Sequence, residues 1–149
     1  MSTRFYSLIA ATLLFSTTSC INFEQGKSII PDDMEMSQFK DIDFEDLQKK
    51  IDSRDDIETA TDALRLYYPN NQSANAGNKF TLKSKKNMLG NSYLFFKQES
   101  LKDDSLQAIA FLMEYEKSID GKITIVDLKE SFNCREGRGH QEWSGELCK

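Results

Sequence analysis

The stretch IAFLMEYEKSIDGKITIVDLKESF, residues 109–132, decides the fold. Apolar and polar residues alternate on both sides of Asp120-Gly121, a dipeptide that favours a two-residue type I′ turn between antiparallel strands. Pairing outward from that turn sets Tyr115 opposite Val126, Met113 opposite Leu128, Phe111 opposite Glu130 and Ile109 opposite Phe132, all on one face. The other face then carries Glu116 with Ile125, Glu114 with Asp127, Leu112 with Lys129 and Ala110 with Ser131, a mainly polar and small set. A slip of one residue would turn the apolar set to water, so the register is well specified. Each large apolar side chain contributes about 1.5–3 kcal/mol when buried, which makes this hairpin the expected centre of stability.

Two further strands precede it. Phe80 and Leu82 alternate with Thr81 and Lys83, a turn is expected near Gly90-Asn91, and Ser92 to Gln98 follows with Tyr93, Leu94, Phe95 and Phe96. Apolar residues on both faces of that second strand suit a strand covered on both sides, or one face in the core and one against the preceding chain. Upstream, Phe44, Leu47 and Ile51 recur at helical spacing behind the acids Asp43 and Glu45. A second helix is expected from Ser53, an N-cap with Asp56 three positions on, carrying Ile57, Ala60, Leu64 and Tyr67 or Tyr68 on one face until Pro69 ends it. The run from Pro69 to Asn78 has turn chemistry and almost no apolar content, as a loop requires. The expected fold is α+β: two N-terminal helices on one face of a four-stranded antiparallel sheet, closed by a C-terminal disulfide loop, with residues 43–149 as a single domain.

The first residues differ in character. Arg4, the apolar run Phe5 to Phe15 and the small residues Ser16 to Ser19 have the layout of a signal peptide over residues 1–19. The ending Thr17-Thr18-Ser19-Cys20 resembles the lipobox of bacterial lipoproteins, with Thr17 standing where that family usually has leucine. The resemblance implies cleavage before Cys20, lipidation of its thiol and, because Ile21 rather than Asp follows, sorting to the outer membrane facing the periplasm. Ordinary signal-peptidase cleavage near Ser19, leaving Cys20 as a thiol, is the alternative. Residues 20–42 read as a polar tether for a lipid-anchored domain, although Met34, Met36 and Phe39 are able to dock onto it. Using Cys20 as the anchor leaves an even pair, Cys134 and Cys148, which an oxidising compartment would join as a disulfide.

Inside the loop those two cysteines would close lie Arg135, Gly137, Arg138, Gly139, the only His (His140) and the only Trp (Trp143). Closing a loop of about fifteen residues contributes on the order of 3 kcal/mol. The arginines with the glycine N–H groups would suit an anion, and Trp143 would suit a sugar or a partner's side chain, making Arg135, Arg138, His140 and Trp143 candidate binding residues. The competing reading has the glycines making turns, Trp143 packed over the sheet and the arginines paired with nearby acids. His140 has no second His beside it, and both thiols are better used in a disulfide, so no metal site is expected. This ending, Cys-x-x-Gly-Arg-Gly-His-x-x-Trp-Ser with a final Cys, together with Leu101-Lys102-Asp103-Asp104-Ser105, resembles a group of small bacterial envelope proteins, mostly lipoproteins. That resemblance implies envelope location and domain type and assigns no catalytic residue.

Composition narrows the function further. With 39% apolar and 29% charged residues in 149, there is material for one core and not two. A formal charge of −5 argues against nonspecific binding to nucleic acid. Asp103-Asp104 reads as a turn, since no calcium-loop spacing follows it. There is no Gly-x-Ser-x-Gly elbow, phosphate-binding glycine loop or zinc-protease His pair, so neither a catalytic set nor a cofactor is expected. The reading favoured is a noncatalytic envelope lipoprotein that binds a protein or cell-wall component through the sheet's outer face or the disulfide loop, with an inhibitor or immunity role as one form of it. The alternative is a cone-shaped α+β domain with a ligand-binding or hydrolytic pocket between helix and sheet.

Overall fold

A computed structural model describes residues 28–69, 79–87 and 90–149. Among these, the chain forms β1 (Lys40–Asp41), α1 (Glu45–Asp52), α2 (Ala60–Tyr67), β2 (Lys79–Lys86), β3 (Ser92–Glu99), β4 (Leu106–Lys117) and β5 (Ile123–Cys134). The fold is α+β, and the antiparallel sheet has five strands in the order β1-β5-β4-β3-β2 rather than the four expected. The added strand is short. It pairs Lys40 with Glu130 and Asp41 with Lys129, and two residues carry too little alternation to be read as a strand.

Beyond β1, the outer edge of β5 is covered by a side chain. Gln48 of α1 donates its amide to the Ile123 carbonyl at 3.1 Å and accepts from the Ile125 N–H at 2.8 Å, doing for the backbone what a neighbouring strand would do. α1 thereby docks through a polar bond as well as through buried Leu47 and Ile51.

The second helix starts later than expected. Ser53 is the C-cap of α1, its hydroxyl donating to the Lys50 carbonyl, and Asp56 pairs with Arg54. The N-cap is Thr59, whose Oγ1 accepts from the Asp62 N–H while Asp62 accepts from the Thr59 N–H, both at 3.1 Å. Thr59 and Asp62 repeat the spacing of Ser53 and Asp56. Only the later pair leaves residues 53–58 free to turn the chain between two helices that pack on one surface. The Tyr68 N–H closes the helix on the Leu64 carbonyl, just before Pro69 as expected.

The long hairpin forms with the expected pairs Ile109–Phe132, Phe111–Glu130 and Met113–Leu128, but its distal end differs. Gly121 has φ +89° while Asp120 is not left-handed, whereas a type I′ turn needs positive φ at both central residues. Instead the Gly121 N–H donates to the Ser118 carbonyl and the Ser118 N–H to the Lys122 carbonyl, each at 3.0 Å, a longer turn with a glycine bulge. That displaces the register by one residue, so Tyr115 pairs with Ile125 rather than Val126. A second irregularity between Glu114 and Tyr115 restores it by leaving Val126 unpaired on β5. Ile123 and Ile125 therefore enter the core, while Val126 points outward, 44% exposed.

The helix face of the sheet buries Leu94, Phe96, Ile109, Phe111, Met113, Leu128 and Phe132 against Leu47, Ile51, Ala63 and Leu64. Tyr68 adds ring contacts to Phe96 and Phe111 at 6.2 and 5.2 Å. On the opposite face, Phe95, Ala110 and Leu112 are covered by Ile30 and Met34, with Ile29, Phe39 and Trp143 packed around them. Residues 28–42, expected as part of a polar tether, are thus built onto the domain. Their apolar residues sit at no regular period, which hides a cover made of irregular chain. The expected export segment 1–19, Cys20 and most of the loop after Pro69 lie outside the described residues.

Candidate functional site

The C-terminal segment leaves β5 at Cys134 and folds back along it. Phe132 and Ser144 exchange backbone hydrogen bonds of 2.7 and 2.9 Å, the Cys134 N–H donates to the His140 carbonyl, and Cys134 is joined to Cys148. Gly145 crosses β1 so closely that a Cβ there would stand 2.5 Å from the Lys40 Cβ. At the far end, the Lys149 N–H donates to the Arg138 carbonyl, and the Ser105 hydroxyl donates to the Lys149 carbonyl.

The four candidate binding residues have different neighbours. Arg135 is spent within the chain: Nε donates to the Asp103 carbonyl at 2.6 Å, one terminal nitrogen to the Leu101 carbonyl and the other to Gln107 Oε1. It clamps the connection between β3 and β4. Asp103 shapes the same connection by accepting from the Ser105 and Leu106 N–H groups at 2.8 and 2.7 Å, and these bonds hold its carboxyl below the usual aspartate range. Asp103-Asp104 is accordingly a turn, as expected.

Trp143 is half-buried against the cluster around Phe95, and Lys97 Nζ lies 5.9 Å from its ring centre. Lys97 is itself largely buried and bonds Asp33 at 3.1 Å, so indole, lysine and the N-terminal cover form one contact. Arg138 is exposed, and among the described residues its guanidinium has no hydrogen bond or ion pair. His140 lies inside the tail loop: Nδ1 is 2.8 Å from the Glu142 carbonyl and Nε2 is 2.8 Å from the Glu146 carbonyl. Nε2 is also 3.3 Å from Cys134 Sγ.

The tail therefore gathers His140 and the two cysteine sulfurs, and it separates Arg135 and Trp143 to opposite tasks in packing. The role of Arg135 had no local signal, because its acceptors are carbonyls about thirty residues earlier. Elsewhere, an open cleft of about 370 Å3 lies between the α1–α2 connection and the β4–β5 turn, lined by Arg54, Asp55, Glu58, Lys117, Asp120 and Lys122. Two of its cations are engaged, Arg54 with Asp56 and Lys117 with the Glu58 carbonyl. At the far side of the sheet, β2 has a strand neighbour on one side only among the described residues, and Phe80 and Leu82 on it are 55% and 48% exposed. No described helix is long and apolar enough to cross a membrane. Set against protein-family models, curated proteins and solved structures, the chain finds no match.

Proposed function

We propose that this chain is a noncatalytic cell-envelope lipoprotein, anchored through Cys20, whose domain binds another envelope protein along the outer edge of β2. The observation that carries the reading is the exposed pair Phe80 and Leu82 on a strand that, among the described residues, has a neighbour on one side only, flanked by Lys79 and Lys83. An open strand edge offers unpaired backbone donors and acceptors, and the two apolar side chains beside it supply area to bury. The sheet's second face, a candidate surface in sequence, is taken by Ile30, Met34 and Trp143, which moves the interaction to the edge. A pocketed or hydrolytic domain loses support because Phe111, Met113, Leu128 and Phe132 fill the space between helices and sheet.

A short reach from the membrane fits this reading. From Cys20 to Ser28 the chain has eight peptide steps, at most about 28 Å when fully extended. A domain so held meets partners at the membrane surface and not deep in the periplasm.

Two measurements test it. Mass spectrometry of the mature protein should show a diacylglycerol and acyl adduct on Cys20; a chain retaining Met1 with an unmodified thiol overturns the anchor. Photo-crosslinking from position 82 in intact envelopes should give a discrete protein adduct that is lost in Phe80→Asp and absent from position 50 on α1. The same adducts from both positions, or none from position 82, overturn the edge as the binding surface.

A further inference from the structure

We propose that the Cys134–Cys148 disulfide, once reduced, becomes a zinc site completed by His140. The inference is independent of the binding reading above. It rests on one juxtaposition: Cys134 Sγ, Cys148 Sγ and a ring nitrogen of His140 all lie within 4.8 Å of one another.

The spacing suits a tetrahedral metal. With Zn–S near 2.3 Å and Zn–N near 2.0 Å, a tetrahedral site sets sulfur and nitrogen about 3.5 Å apart. His140 Nε2 is already 3.3 Å from Cys134 Sγ. The two cysteine Cα atoms are 5.5 Å apart, so rotation of the side chains alone can open the sulfurs to the roughly 3.8 Å that two thiolates on one zinc require. The imidazole is held in a ligand's orientation: Nδ1 faces the Glu142 carbonyl at 2.8 Å, and a metal-binding His donates its other ring N–H to such an acceptor.

The surroundings hold this geometry. Cys134 is 1% exposed, and Gly139, at φ +139°, wraps the chain so tightly that a Cβ would stand 3.0 Å from its sulfur. The Glu146 carbonyl, 2.8 Å from Nε2, borders the same point and has to draw back to the roughly 3.4 Å that a nitrogen and an oxygen on one tetrahedral zinc require, taking the fourth position itself or leaving it to water.

The chemistry balances with a dithiol as reductant. It supplies two electrons and two protons, the Sγ–Sγ bond breaks to two thiols, and the reductant's own pair closes to a disulfide. Zinc then replaces the two thiol protons, which pass to water. A disulfide oxidant takes the two electrons back, the Sγ–Sγ bond re-forms, the oxidant leaves as a dithiol with two protons from water and Zn2+ is released, so the tail stays closed by one cross-link or the other.

The test uses the full chain carrying Cys20→Ser, reduced with a phosphine, freed of reductant without oxygen and titrated with Co2+ and then Zn2+. One equivalent of Co2+ should give thiolate-to-cobalt charge transfer and tetrahedral d–d bands, displaced by Zn2+, with the oxidised protein silent. His140→Ala should weaken Zn2+ binding about tenfold or more. Cobalt spectra no stronger than those of the Cys134→Ser, Cys148→Ser double variant overturn the site, and unchanged affinity in His140→Ala overturns its third ligand. Melting supplies an independent measure: Zn2+ should raise the Tm of the reduced protein and not of the oxidised one. No rise in the reduced form counts against the proposal even where a variant folds poorly.

Discussion

The two faces of this sheet are covered by different kinds of chain. On one, α1 and α2 set Leu47, Ile51, Ala63 and Leu64 against an apolar surface that continues from β3 across β5. On the other, a smaller cluster around Phe95 is roofed by residues without regular structure, Ile30 and Met34 ahead of β1 and Trp143 after β5. The helix face draws its stability from area, because many large side chains leave water together. The second face has less area and compensates with close and polar ties: the Lys97–Asp33 ion pair and the crossing of Gly145 over β1, while the disulfide, whose Cys148 packs against the helix-face cluster, holds the tail that carries Trp143.

That contrast can be broken first on the helix face. Phe111 is 1% exposed and touches Tyr67, Tyr68 and Phe96. Phe111→Ala should cost about 4 kcal/mol in urea-monitored unfolding, the loss of burial plus an unfilled cavity. A cost near 1 kcal/mol shows that the helices are not the main cover.

The second face depends on its ties. Cys134→Ser with Cys148→Ser, measured without added metal, should lower stability by about 3 kcal/mol, the chain entropy of a loop of this length. Trp143 fluorescence should shift to the red in the same variant as the tail lifts. Stability lost without that shift places the effect in the unfolded chain alone.

These differences also decide what could be read beforehand. The helix face was legible because two periods, 3.6 along α1 and α2 and 2 along β4 and β5, repeat often enough to be recognised. The second face left a partial trace, Leu94, Phe95 and Phe96 in succession. Nothing in residues 28–39 repeats, so the sequence offered Met34, Met36 and Phe39 only as able to dock; Met34 and Phe39 do, and Met36 stays exposed. The hairpin was half legible: its proximal pairs followed from alternation, while the bulge that exposes Val126 answers to a turn whose φ values no pattern reveals. In the tail, cysteine parity announced the cross-link. The clamp made by Arg135 depends on carbonyls brought near by folding, and a sequence pattern carries no sign of them.

Gly145 sharpens the comparison at a single atom. Gly145→Ala sets a Cβ against Lys40 backbone and side chain, so the tail or β1 has to move, at about 2 kcal/mol by analogy with overpacked cores. Hydrogen exchange at Ile42, whose N–H donates to the Leu128 carbonyl, should accelerate more than at Met113. Equal acceleration means the strain spreads through the whole sheet. On the helix face, Thr59→Ala removes the α2 cap and should cost about 1 kcal/mol by thermal unfolding, without changing exchange at Ile42.

The smallest effect expected is one of pH, in the β3–β4 connection, whose Leu101 and Leu106 pack into the helix face. Asp103 accepts two backbone N–H bonds that only its ionised form accepts fully, and its carboxyl is held below the ordinary value of 3.8. A depressed folded-state pKa gives stability that is present above the unfolded value and disappears as pH falls through the folded one. The contribution should therefore be whole at pH 6 and fade below about pH 4. Asp103→Asn keeps an acceptor oxygen and removes the charge, so its stability should fall less between pH 5 and pH 2 than that of the parent chain. Arg135 lies against the same turn and remains charged throughout, so a parallel decline in both proteins assigns the acid sensitivity to other carboxylates and leaves Asp103 as a neutral cap for Leu106.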